Sequence, residues 1–215
     1  MIKENRFISN QEIEGKAYAL LNRFETMFGK IGLPPIPIDK IIEKYLDLWI
    51  DWDIVDDTDE EKILGFIDPV ARKIRLNERH RNLFDEYIGT EAYTKAHEVG
   101  HWELHVVKNV DAIQPPLLSD PVAQPYLCRQ QNFDKREIQA EKFAAYLLMP
   151  FPLVMNAIAS VELTDWRSLY LLKENFGVTI TAMTKRLKGL GLIYIAEDKK
   201  IFHSEEEAHG TIKLF

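Results

Sequence analysis

The chain has 215 residues, 46% hydrophobic and 28% charged, close to soluble globular proteins, which excludes wholesale disorder. A net charge of -7 argues against a dominant nucleic-acid or anionic-membrane surface. A lone cysteine rules out an intrachain disulfide, the N-terminal MIKENRFISN lacks an apolar signal core, and no run reaches the roughly 18 apolar residues of a span, so the expected location is cytoplasmic, without a membrane partner.

The spacing of Ile13, Ala17, Leu20, Leu21 and Phe24 predicts a helix over about residues 10–30. Pro34, Pro35 and Pro37 break the chain, and Asp39 is the expected cap of a short helix carrying Ile41, Ile42 and Tyr45. Residues 47–55 alternate between apolar and acidic, a strand pattern. The acidic run from Asp56 to Glu61 reads as a solvated loop. Residues 63–67 and 70–76 read as a hairpin turning at Asp68 and Pro69, and an exposed strand of it could take substrate by strand addition.

A helix follows from Thr90, its expected N-cap, to Val107. Residues 108–133 hold Pro115, Pro116, Pro121 and Pro125 and read as a long irregular loop. A strong helix runs from Asp134 to Met149 and stops at Pro150. Residues 153–196 read as two or three short helices and a closing strand from Leu192 to Ala196. Residues 204–215 read as a poorly ordered tail.

The chemistry concentrates in His97-Glu98-Val99-Gly100-His101. Two histidines four apart on a helix lie about 40° apart around the axis and about 6 Å along it, so both imidazoles can reach one metal ion. The carboxylate between them projects beside the metal, where a general base is needed. Catalytic zinc takes a third protein ligand. His105 is too far along the helix, about 12 Å from His97, and reads as a hydrogen-bonded histidine at the helix end. The longer metzincin pattern also fails, since Leu104 and Val107 stand where it has Gly and His. The second helix is a better source. Glu137 shares a face with Ala140, Glu141, Ala144 and Leu148, and small residues there would let it approach the motif helix. Spacing alone leaves Glu137 and Glu141 open as the third ligand.

Ala96-His97-Glu98-Val99-Gly100-His101-Trp102, followed by Glu137-x-x-Ala140-x-x-Phe143-Ala144-Ala145-x-Leu147-Leu148-Met149-Pro150, resembles the ImmA/IrrE family of metallopeptidases. Leu64-Gly65-Phe66, Ile74-Arg75-Leu76-Asn77 and Phe176-Gly177-Val178-Thr179 are similar to further stretches of that family, so the resemblance covers most of residues 11–196. It implies Zn2+ held by His97, His101 and Glu137, with Glu98 as general base. It favours Glu137 over Glu141, although where Glu141 stands the family commonly has Asn or Asp. The implied fold is α+β: a small, mostly antiparallel sheet on a zincin-like helix pair, with a C-terminal helical, winged-helix-like region. Residues 1–150 are expected to form the zincin-like metallopeptidase domain, with 151–215 packed on it. The implied activity is zinc-dependent intracellular endopeptidase action on a protein substrate, a regulator such as a helix-turn-helix repressor.

Three further expectations concern details. Tyr93, Tyr126 and His105 are candidates to hydrogen-bond a developing oxyanion. Cys128, between the ligand helices, is either a zinc-capping latch or an unliganded thiol, the plainer reading. The alternative function is a DNA- or protein-binding transcription regulator with a zinc site and little proteolysis, with Lys185, Arg186 and Lys188 on a candidate recognition helix. Against DNA, residues 151–215 hold eight basic and eight acidic residues.

Overall fold

The computed structural model describes residues 8–58, 62–106 and 135–210, together with the backbone of 126–129. The first helix, α1 (Asn10–Phe28), buries the five apolar residues that its spacing singled out, and the Ser9 side chain caps it by accepting from the Glu12 N–H. After the prolines come α2 (Ile38–Lys40) and a π-helical turn, Ile41–Tyr45. Asp39 does not cap α2. Its carboxylate lies 2.8 Å from the buried Lys95 Nζ instead, because pairing a buried ammonium outweighs one exposed cap.

The strands β1 (Trp49–Asp53), β2 (Ile63–Asp68) and β3 (Lys73–Asn77) precede the short helix α3 (Arg81–Glu86). Asp68 fastens the β2–β3 turn by accepting from the N–H groups of Val70 and Ala71. The described part of the acidic run is tied down, with Asp56 on Arg79 and Asp57 accepting from the Ile63 N–H beside His80. A fourth strand, β4 (Tyr126–Arg129), lies inside the stretch expected to be irregular. The sheet order is β1-β3-β2-β4, with β1 parallel to β3 and the other pairs antiparallel. This corrects the strand-addition expectation. Both hairpin strands are flanked, β3 by β1 and β2 by β4, so their backbone groups are already paired. The remainder of 108–133, with its prolines, lies outside the described residues.

The motif helix, α4 (Thr90–Leu104), is buried continuously from Thr94 to Trp102, with β2 on one side and α5 (Lys135–Leu148) on another. Its N-cap is Gly89 rather than Thr90. Gly89 has φ +91, and a Cβ there would lie 2.3 Å from the Val178 backbone. The bare glycine therefore admits both the left-handed turn and the chain crossing behind it.

The C-terminal part comprises α6 (Phe151–Ile158), α7 (Trp166–Phe176), α8 (Ile180–Gly189) and a hairpin of β5 (Tyr194–Ile195) with β6 (Ile201–Phe202). Helix, turn, helix and hairpin follow in winged-helix order. The tail is ordered further than expected: Ser204 caps α9 (Glu205–Ala208). Leu169, Phe176, Met183 and Leu187 join Ile13, Leu20, Phe143 and Leu147 in one apolar cluster, so these helices share a core with α1 and α5. No described helix is long and apolar enough to cross a membrane.

Candidate metal centre

Helical spacing brings the first two candidate ligands together: His97 Nε2 and His101 Nε2 stand 2.9 Å apart. The third comes from α5. Glu137 Oε2 lies 3.0 Å from His97 Nε2, and its Oε1 lies 3.4 Å from His101 Nε2. Glu137 reaches them because α5 lies close on α4. A Cβ on Gly100 would stand 3.0 Å from both Cα and O of Ala140, so the helices meet backbone to backbone one turn beyond Glu137. The small residues anticipated on this face have that role, with Ala140 and Ala144 both fully buried. Glu141 points elsewhere. Its carboxylate takes Lys185 Nζ at 2.6 Å, joining α5 to α8.

The donor set fits a small divalent ion. Tetrahedral zinc with bonds of about 2.0–2.1 Å separates neighbouring ligand atoms by roughly 3.3 Å; here the two Nε2 atoms lie 2.9 Å apart, one Glu137 oxygen lies 3.0 Å from His97 and the other 3.4 Å from His101. Among the described residues these three form the group able to hold a metal. The protonation of His101 and Glu137 suits it too. Burial, only partly opposed by the hydrogen bond to Glu137, lowers His101 to a pKa of about 4, so its imidazole is neutral at pH 7. For Glu137, burial raises the pKa, but hydrogen bonding to His101 and His97 outweighs it and brings the value to about 2. Neutral imidazoles and an ionised carboxylate are the forms that bind metal.

Glu98, between the two ligand histidines in sequence, is fully buried in α4. Outside the ligands opens a cleft of about 760 Å³ that includes His97 and Glu137 in its wall. Tyr87, Ile88, Tyr93, Ile138 and Tyr170 give it an apolar lining, and Lys173 and Lys185 from α7 and α8 line it together with Glu86, Glu137 and Glu141. The C-terminal helices thus form part of the cleft.

Of the oxyanion candidates, Tyr93 lines the cleft, and its hydroxyl donates to the Glu141 carbonyl at 3.1 Å. His105 is buried behind His101, facing Nδ1 rather than the ligand nitrogen, which takes it out of that role. The side chains of Tyr126 and Cys128 lie outside the described residues. Two of the three basic residues on the candidate recognition helix are engaged within the fold. Arg186 is buried, donates to the Met149 carbonyl at 3.0 Å and pairs with Glu14 at 2.8 Å, while Lys185 holds Glu141. Sequence reasoning missed Gln139, whose Oε1 lies 3.0 Å from His105 Nε2. Two places from Glu137 it falls outside the three- and four-residue spacing that marks a shared helix face.

An H-E-x-x-H helix with a carboxylate from a second helix, in an α+β fold, is a donor set of the kind that metallopeptidase sites use. Residues 56–188 match Peptidase_M78, the IrrE N-terminal-like domain, and the chain belongs to that family. No curated protein matches the chain. Among solved structures, a Mycobacterium tuberculosis transcriptional regulator is similar at 18% identity with a TM-score of 0.47. The match covers 83% of this chain and 48% of that one, so the chain spans about half the length of that regulator.

Proposed function

We propose that this protein is a zinc-dependent endopeptidase that makes a site-specific cut in a regulatory protein such as a helix-turn-helix repressor. The observation that carries the reading is the meeting of His97, His101 and Glu137, two of which, His97 and Glu137, line a cleft of about 760 Å³. Zinc in that site supplies a Lewis acid that activates water and polarises a carbonyl at neutral pH. His97 and His101 bind as neutral donors and Glu137 as an anion. Glu98 accepts a proton at its carboxylate and delivers it to the leaving amine. The apolar cleft wall orients the substrate and excludes water from the scissile bond. The choice of a regulatory protein rests on family membership and on the ImmA/IrrE resemblance of the motifs.

The test is Glu98→Gln, with helix-turn-helix repressors that the wild type cleaves as substrates. The variant is expected to retain zinc and lose cleavage; cleavage at the wild-type rate would overturn the proposal. The DNA-binding alternative has less support, since Arg186 and Lys185 are committed to contacts inside the fold.

A further inference from the structure

Behind the ligand histidines runs a second hydrogen-bonded chain that the proposed chemistry does not use. His101 Nδ1 lies 3.1 Å from His105 Nδ1, and His105 Nε2 lies 3.0 Å from Gln139 Oε1. His101, His105 and Gln139 are all buried. Gln139 sits two residues beyond Glu137, so α5 supplies both a ligand and the end of this chain.

We propose that His105 and Gln139 are positioning residues that set the tautomer of His101, so that its Nε2 presents a lone pair to the metal; this rests on the metallopeptidase reading. A neutral imidazole carries one N–H and one lone pair. The Nε2 of His101 faces Glu137 and His97, so when a metal replaces its hydrogen bond to Glu137 this nitrogen must be bare and the proton must sit on Nδ1. That N–H donates to His105 Nδ1, which accepts only when the His105 proton is on Nε2. The Gln139 carbonyl oxygen receives that Nε2–H. The opposite order would follow if the Gln139 amide presented its NH2 group. His105 would then donate from Nδ1, and the proton of His101 would move to Nε2, where the metal must bind. The Gln139 carbonyl thus favours the tautomer in which His101 presents its Nε2 lone pair to the metal.

The experiment uses the full chain. Zinc affinity is measured by competition with a chromophoric chelator for wild type, Gln139→Leu, Gln139→Glu and His105→Phe, with circular dichroism confirming the fold. Histidine tautomers of the zinc-loaded wild type are read by long-range ¹H–¹⁵N correlation. Outer-shell partners of this kind are worth about 10–100-fold in metal affinity. Gln139→Leu and His105→Phe are expected to lose about tenfold or more, and Gln139→Glu, which can only accept, to restore wild-type affinity. The spectrum is expected to show His101 as the Nδ1–H tautomer and His105 as Nε2–H. Should His105→Phe fail to fold, the Gln139 pair and the wild-type spectrum still decide. Tight zinc binding by the wild type, with Gln139→Leu unchanged or His105 protonated on Nδ1, overturns the relay alone. A wild-type chain that binds no zinc overturns the metallopeptidase reading, and the relay with it.

Discussion

Gly100→Ala tests the contact that brings Glu137 to the two histidines. The new Cβ would lie 3.0 Å from Ala140 Cα and O and 3.3 Å from Ala140 Cβ. Non-bonded carbon atoms settle at about 3.5–4.0 Å, so α5 must retreat by roughly half an ångström. Metal–ligand distances tolerate only about 0.2 Å, and Glu137 is one turn from the point of contact. The expected loss is about tenfold or more in zinc affinity, close to 1.4 kcal/mol. Metal-free stability should change much less. Overpacking costs about 1–3 kcal/mol, but replacing a helix-interior glycine by alanine returns up to about 1 kcal/mol. Gly15→Ala in α1 is the control, because nothing lies within 4 Å of its new Cβ. It should gain stability and bind zinc as the wild type does. The assay is chelator competition beside urea unfolding of the metal-free chains. Zinc binding by Gly100→Ala within threefold of wild type would refute the role given to this contact.

Glu137→Gln should weaken zinc by more than the roughly 10–100-fold of an outer-shell partner, whereas Glu141→Gln should leave it unchanged; the reverse pattern would reassign the third ligand. Acid should destabilise the metal-free protein. The folded pKa of His101 is about 4, against 6.5 unfolded, so between those values the unfolded chain alone binds the proton and stability falls as pH drops. The window is worth about 3 kcal/mol, with about 2 kcal/mol of it between pH 7 and pH 5, read as urea midpoints with chelator present; a flat profile would contradict it. Arg186→Met should cost about 2–3 kcal/mol, because it strips a buried carbonyl and Glu14 of their partner, while the exposed Lys188→Met should change stability by less than about 0.5 kcal/mol. If α8 is a structural helix, both variants will also match wild type in a duplex-DNA gel shift across a salt series.

Local rules carried far along this chain. The burial of Ile13, Ala17, Leu20, Leu21 and Phe24 follows from 3.6-residue periodicity, and the hairpin turn from Asp68 and Pro69. The caps were less legible. Thr90 and Asp39 have suitable side chains, but a left-handed Gly89 and a buried lysine took precedence, and both depend on segments distant in sequence. Strand exposure in the hairpin was equally illegible, since β1 and β4 come from opposite sides of it along the chain.

At the candidate metal centre, sequence by itself determined that His97 and His101 converge, because i and i+4 on a helix are neighbours whatever surrounds them. It also determined that His105 lies too far along the axis to join them. Its motifs named the family. Choosing Glu137 over Glu141 by geometry took the tertiary structure, because that choice depends on where two helices forty residues apart touch. Gly100 and Ala140 set the point of contact, and Lys185 draws Glu141 away from it. The same crossing set His105 against Gln139, a pairing with no periodic signature. Periodicity reports what one helix does along its own axis. The fold alone decides what two helices bring to each other.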